Sequence, residues 1–151
     1  MTDLETFMIE HACLKLMARY NVTLDAEDYE SFVKVFTEDA VWGQTTEPSF
    51  EVKGHGAIRK VAERLPREKI RRHMLQNPVV TVLGPDRAEG FCIGLVVDGP
   101  ARQGPLPYPI SPGGVELVAE YRDHYRKTPD GWRIERREMT RILDQKAVKG
   151  S

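Results

Sequence analysis

Two side chains that lie far apart in the chain have the types needed to move a proton from carbon. His73 stands in KIRRHMLQNPVVTVLG (Lys69 to Gly84), a stretch that otherwise reads as a β-strand. A neutral imidazole acts as a general base when a partner fixes its tautomer and stabilises the imidazolium. Asp25, in RYNVTLDAEDYE, is the carboxylate that could be that partner. Each residue also has an ordinary alternative. A histidine on a strand face can be structural, held by a backbone carbonyl. An aspartate between two helices can be an N-cap, with Asp28 in the first turn behind it. The residues alone leave both alternatives open.

Other chemistry is poorly represented. His11, His55, His73 and His124 show no metal-type spacing, and no HExxH occurs. Gly84, Gly90 and Gly94 fall between strands and not before a helix, which does not suit a dinucleotide fingerprint. Neither GxSxG nor a P-loop is present. Cys13 and Cys92 have no close-spaced partner, so buried free thiols are expected and a disulfide framework or Cys-based zinc site is not. An enzyme built from these residues is expected to use no cofactor and no metal. In GWRIERREMTRILD, strand alternation puts Arg133, Glu135 and Arg137 on one face and Trp132, Ile134 and Arg136 on the other. An arginine reaching a cavity from there would bind an anion or a carbonyl oxygen.

The elements that must position these groups follow from periodicity. Apolar residues at helical spacing (Ile9, Cys13, Leu16, Met17, Tyr20) predict a first helix that runs out near Asn21 to Leu24. A shorter helix follows with Tyr29, Phe32, Val33 and Phe36 on its buried side, and Thr37 to Asp39 turn the chain into a short strand around Val41 and Trp42. A strand over Phe50 to Lys53 leads through Gly54 to Gly56 into a helix from about Ala57 to Leu65, stopped by Pro66. Four long strands are then expected at about 70–83, 88–98, 114–127 and 131–143. Within the first of them, Arg71, Leu75 and Asn77 share the face of His73. The segment DGPARQGPLPYPISPGG, with five prolines and four glycines, reads as a long loop of the kind that serves as a lid or interface arm. Helices first and an antiparallel sheet after them make an α+β fold, in which a curved sheet around the first helix encloses a pocket.

The whole chain of 151 residues suits a single domain, 1–151, with 40% hydrophobic and 30% charged residues. Lys and Arg number 22 against 23 Asp and Glu, so no basic face argues for nucleic acid. The acidic, amphipathic N-terminus lacks the plan of a signal peptide, and no apolar run approaches membrane-spanning length. A cytoplasmic protein without a membrane partner is expected.

The order LMARYNVTLDAEDYESFVKVFTEDAVW, GHGAIRKV, RRHMLQNPVVTVLGPDRAEGFCIGLVV and ELVAEYRDHYRKTPDGWRIERRE resembles the SnoaL-like branch of the nuclear transport factor 2-like superfamily, from about Leu4 to Asp144. The resemblance implies a cone-shaped α+β barrel, with helices packed on a bent, mostly antiparallel sheet around a pocket. In the members most similar to this chain (scytalone dehydratase, hexachlorocyclohexane dehydrochlorinase and bile-acid 7α-dehydratase) a pocket Asp and His form a dyad, and the matching positions here are Asp25 and His73. It further implies catalytic roles for Tyr20 and for Arg137, or for Arg136 if a bulge shifts the last strand. The implied activity is that of a cofactor-independent lyase or isomerase, dehydratase-like, acting on a small apolar cyclic molecule as a dimer or trimer. A non-catalytic β subunit of an aromatic-ring hydroxylase, or a small-molecule-binding module with an inert pocket, is the alternative that the same resemblance carries.

Overall fold

A capping box starts the first element. The Thr2 hydroxyl accepts from the Glu5 backbone N–H at 3.2 Å, and the Glu5 carboxylate accepts from the Thr2 N–H at 2.7 Å. Two of the N–H groups that a helix start leaves over are thereby satisfied. The structure, a computed structural model, describes residues 1–65, 69–100 and 113–145. Helix α1 (Asp3–Asp25) buries Ile9, Cys13, Leu16, Met17 and Tyr20, and Leu24 extends that stripe by one more turn. It therefore ends slightly later than the expected Asn21 to Leu24.

After a turn with Glu27 at φ 56°, α2 (Tyr29–Val33) is capped by Asp28, whose side chain accepts from the Ser31 N–H at 3.0 Å. The cap is thus Asp28 and not Asp25. Phe36 does not belong to α2 but opens strand β1 (Phe36–Gln44). The break expected at Thr37 to Asp39 occurs inside this strand, as a slip of register against the last strand. Phe36 and Ala40 stay buried on either side of it, so the chain bulges there without leaving the sheet.

Strand β2 (Phe50–Lys53) pairs antiparallel with β1. Gly54, at φ 81°, supplies the left-handed backbone from which α3 (His55–Glu63) begins, two residues earlier than expected, with Ile58 and Ala62 buried. Pro66, expected to stop this helix, lies outside the described residues, as does most of the Pro/Gly-rich segment from Asp98 to Gly114.

The long strands β3 (Lys69–Val82), β4 (Arg87–Pro100), β5 (Gly114–Thr128) and β6 (Gly131–Asp144) pair antiparallel in succession. β1 joins β6 in parallel, which gives one six-stranded mixed sheet in the order β2-β1-β6-β5-β4-β3. The architecture is α+β, as the alternation and the order of elements predict. The sheet is open and not a closed barrel, with β2 and β3 as its edges. Helix α1 packs against β3 and also touches β4 and β6. No helix among the described residues is long and apolar enough to cross a membrane.

Two features of the sheet shape its concave side. Edge strand β3 tolerates Pro78, which has no N–H to donate, and its register with β4 slips between Gln76 and Val79. Asn77 sits in that slip at φ 48°, so it does not simply continue the face of His73. The bulge exchanges odd for even positions: Leu75 before it and Val80 and Val82 after it all pack toward the core. On β4, a Cβ at Gly94 would overlap the ring of Tyr121, and one at Gly90 would come within 2.6 Å of the Met17 methyl and 2.8 Å of Tyr125. The missing side chains let large residues lie directly against the strand.

Cys13 and Cys92 are both buried and free. Burial pushes the Cys13 thiol up to about 12 and the Cys92 thiol to about 11, so neither forms the reactive thiolate near neutral pH. A disulfide reagent such as dithiobis(nitrobenzoate) is expected to leave native protein unmodified over minutes and to modify both thiols after denaturation. Rapid release of thionitrobenzoate from the native protein would contradict this packing.

Candidate active site

The last residue of α1 reaches the middle of β3. Asp25 Oδ2 accepts from the backbone N–H of His73 at 2.9 Å, and Asp25 Oδ1 lies 2.5 Å from His73 Nδ1. Both side chains are 13% exposed. With the carboxylate ionised, Nδ1 is the nitrogen that carries the proton and donates it, which fixes the tautomer. Since Asp28 caps α2, the Asp25 side chain has no competing duty as a cap. The backbone hydrogen bond also holds the carboxylate in place independently of the ring. In addition, Asp25 is at the negative end of the α1 dipole, and that end favours a cation nearby.

His73 borders a cavity of about 280 Å³ between the helices and the sheet. Phe32, Trp42, Ile58, Val96, Leu117 and Met139 supply much of its apolar wall. A second, much smaller cavity of about 50 Å³ borders His73 on another side and is lined by Asp25, Glu27, Tyr29 and Lys69 among others. His73 therefore stands between an apolar chamber and a small polar one.

Tyr20 lines the larger cavity and is buried. Its ring packs against Phe32 and Phe36, with centroids 5.0 and 5.9 Å away. Burial raises its hydroxyl above the usual phenol range, an effect that the Arg137 charge opposes. The phenol thus stays protonated and able to donate.

Arg137 points inward, but it is not part of the cavity wall. Its Nε and Nη2 donate to the two oxygens of Asp123 at 2.7 and 2.6 Å, and Asp123 also accepts from the Tyr125 hydroxyl at 2.7 Å. The side chains of Arg137 and Asp123 are 2% and 0% exposed. The guanidinium lies 4.1 Å from the centre of the Tyr20 ring and 5.0 Å from that of Tyr121, so it stands behind two cavity-lining tyrosines. Burial works against its charge, yet Asp123 outweighs that and holds Arg137 well above its ordinary range. Arg136 faces the other way, toward Glu51 and Glu138. The structure therefore brings Asp25 and His73 together, places Tyr20 on the same cavity, and sets Arg137 one layer below.

Further polar groups also reach the cavity, among them Arg71, which alternation had put on the face of His73. Arg71, two residues before His73, donates from Nε and Nη2 to Glu116 at 2.7 and 2.9 Å. Glu116 sits where Val96 opposes Leu117 while Val97 opposes Val115, so it is the extra residue of a β-bulge. Nothing in a linear pattern announces that bulge. Gln44 and Arg141, from β1 and β6, line the opposite side. Among the described residues, no three His, Cys, Asp or Glu side chains are grouped to hold a metal ion.

The buried Arg137–Asp123 pair makes a stability prediction. Asp123→Asn leaves a guanidinium uncompensated in the core and is expected to cost about 3–5 kcal/mol. The loss would be read from urea unfolding monitored by circular dichroism. Replacing both residues by leucine is expected to recover much of it. An Asp123→Asn protein as stable as wild type would contradict the sealed pair.

Comparison with known proteins agrees with this architecture. The profile of the SnoaL-like domain matches residues 6–138. A search of curated proteins finds no match. Among solved structures, the chain is similar to a nuclear transport factor 2-like protein with a cystatin-like fold from Novosphingobium aromaticivorans (26% identity, 98% of this chain and 87% of that one, TM-score 0.75). It is similar in fold to a candidate scytalone dehydratase from the same organism (20% identity, 94% and 89% covered, TM-score 0.76). The same holds for a hexachlorocyclohexane dehydrochlorinase from Novosphingobium barchaimii (15% identity, 94% and 92% covered, TM-score 0.74). With its helices set against an open, bent sheet and the profile matching nearly its full length, the chain belongs to the SnoaL-like domain family.

Proposed function

We propose that the protein is a cofactor-independent lyase or isomerase, dehydratase-like, acting on a small, largely apolar cyclic substrate. One observation carries this reading: Asp25 holds both the backbone N–H and Nδ1 of His73 at the edge of an apolar cavity. Nδ1 is committed to the carboxylate, so Nε2 is the nitrogen left to take a proton. In the proposed step, the substrate C–H bond breaks toward His73 Nε2. Its electron pair forms a carbon–carbon double bond or an enolate, and in the elimination the leaving group departs with the electrons of its own bond. The imidazolium that results is favoured by ionised Asp25 and by the negative end of α1. Tyr20 donates a hydrogen bond to the oxygen that gains charge or leaves. Arg137 acts through Tyr20, since its guanidinium packs on that ring and is bound by Asp123. The neighbours' dehydratase and dehydrochlorinase chemistry is consistent with this route.

Association into a homo-oligomer belongs to the same reading. Val79, Val115, Ile142 and Leu143 on the strands, and Leu83 just after β3, are large apolar side chains exposed to about half or more. A dimer or trimer is expected in light scattering coupled to size exclusion, and a monomer at micromolar concentration would count against it.

The catalytic test uses purified chain alone on a panel of cyclic β-hydroxy ketones and cyclic halides, with the new double bond followed by absorbance. His73→Ala is expected to lower kcat by about 10²–10⁴-fold, the usual worth of a positioned base. Asp25→Asn should give a large loss as well, and turnover should survive dialysis against a chelator. Full turnover by both variants would sink the reading. Turnover by the isolated chain would also separate an enzyme from a subunit that only supports a catalytic partner.

A further inference from the structure

The proposed base uses one part of the cavity and leaves a charge imbalance at its edge. Three arginines line the cavity, Arg64, Arg71 and Arg141, against one acidic residue, Glu116. Two of the three are engaged. Arg71 donates to both oxygens of Glu116, at 2.7 and 2.9 Å, and Arg141 Nη1 donates to Asp144 at 2.7 Å. Arg137, behind the wall, is bound by Asp123. The Arg64 side chain has no hydrogen bond or ion pair to any described residue. Glu63, the acid beside it in the chain, is taken by Arg59, and so is Glu30 on α2.

The position of Arg64 follows from the end of α3. It closes that helix, with its backbone N–H bonded to the carbonyls of Ala62 and Val61. Val61, Ala62 and Leu65 of the same turn line the cavity with it, yet Arg64 itself is exposed. A long basic side chain in such a place covers apolar surface with its stem and keeps its head in water. Leu65 also borders the small polar cavity beside His73, so this turn of α3 comes close to the base. A basic residue at a helix C-terminus suits the dipole, which would account for the charge of Arg64 but not for its place on the cavity.

We infer that Arg64 anchors a carboxylate of the substrate at the cavity edge, with the apolar ring inside against Phe32, Trp42 and Leu117. The planar guanidinium matches a carboxylate through two parallel N–H···O bonds. A phosphoryl group suits the edge less well, because its second negative charge would find Arg71 and Arg141 already bound to acids. The assignment deepens the lyase or isomerase reading and rests on its placement of the reacting carbon at His73. The substrate class is thus a cyclic carboxylic acid. Its acid group takes no part in the bond changes and holds one ring carbon toward Nε2.

Binding of inert ring compounds to the intact protein tests this without turnover. The probes are cyclohexanecarboxylate, cyclohexanecarboxamide and cyclohexylphosphonate, titrated by NMR at low salt. The carboxylate is expected to bind about fivefold or more tighter than the amide of the same shape, the scale of a bidentate charge pair that water partly screens. A carboxylate is harder to remove from water than an amide, so in Arg64→Gln the order should level or reverse. Arg64→Met, which keeps an apolar stem, replaces Arg64→Gln if the thermal melt shows that protein unfolded. A role confined to the helix dipole would lower the melting temperature of the variant and leave the carboxylate preference in place. That result overturns the anchor, as do equal binding of carboxylate and amide by the unaltered protein, binding of neither, or tighter binding of the phosphonate. The base assignment fails by a different result, unchanged turnover in His73→Ala and Asp25→Asn, so the two failures are distinguishable.

Discussion

Both oxygens of one carboxylate are committed to one histidine, and much of the structure's logic follows from that. Asp25 ends α1, where an acidic side chain is unfavourably placed against the helix dipole and no basic residue in the last turn relieves it. The backbone N–H and Nδ1 of His73 compensate. The same contacts tie the end of α1 to edge strand β3, which would otherwise offer a free margin near the cavity. A structural tether and a poised imidazole are here the same pair of hydrogen bonds.

The second charged pair obeys a different rule. Arg137 and Asp123 are sealed, with the Tyr125 hydroxyl completing the Asp123 shell and two tyrosine rings lying against the guanidinium. A buried pair of this kind is weak evidence for net stability, but it is costly to break. Its position behind Tyr20 sets a neutralised pair next to the cavity wall, with the guanidinium end against the ring. The His73–Asp25 pair, by contrast, keeps some exposure, and His73 borders two cavities.

Periodicity made the element order readable, from the apolar stripe of α1 to the long strands, because those signals are local. Residue types marked Asp25 and His73 as possible partners but could not separate that role for Asp25 from a cap of α2, a duty that falls to Asp28. The parity change at Asn77 and Pro78 and the bulge that brings Glu116 to the cavity are register effects between strands, invisible in a single segment. Alternation alone did not make Arg137 legible as inward-facing: it set Arg137 opposite Ile134, yet a slip at Glu135 turns both inward, and only the resemblance pointed to Arg137 or Arg136. Its depth was not legible either, because that depends on Asp123 on the neighbouring strand. The α+β cone that the resemblance implied is built here on an open sheet, in which no ladder joins β2 to β3.

Gly94 gives the cavity its depth from behind. The ring of Tyr121 occupies the space that a side chain on β4 would need, so the floor can sit as low as the backbone itself. Any larger residue there would act as a wedge, lifting the phenol toward the chamber and reducing its capacity without altering one residue of the wall. Chamber size in this fold can therefore change through a position outside the cavity wall, even though that position lies on the strand paired with the one that carries His73.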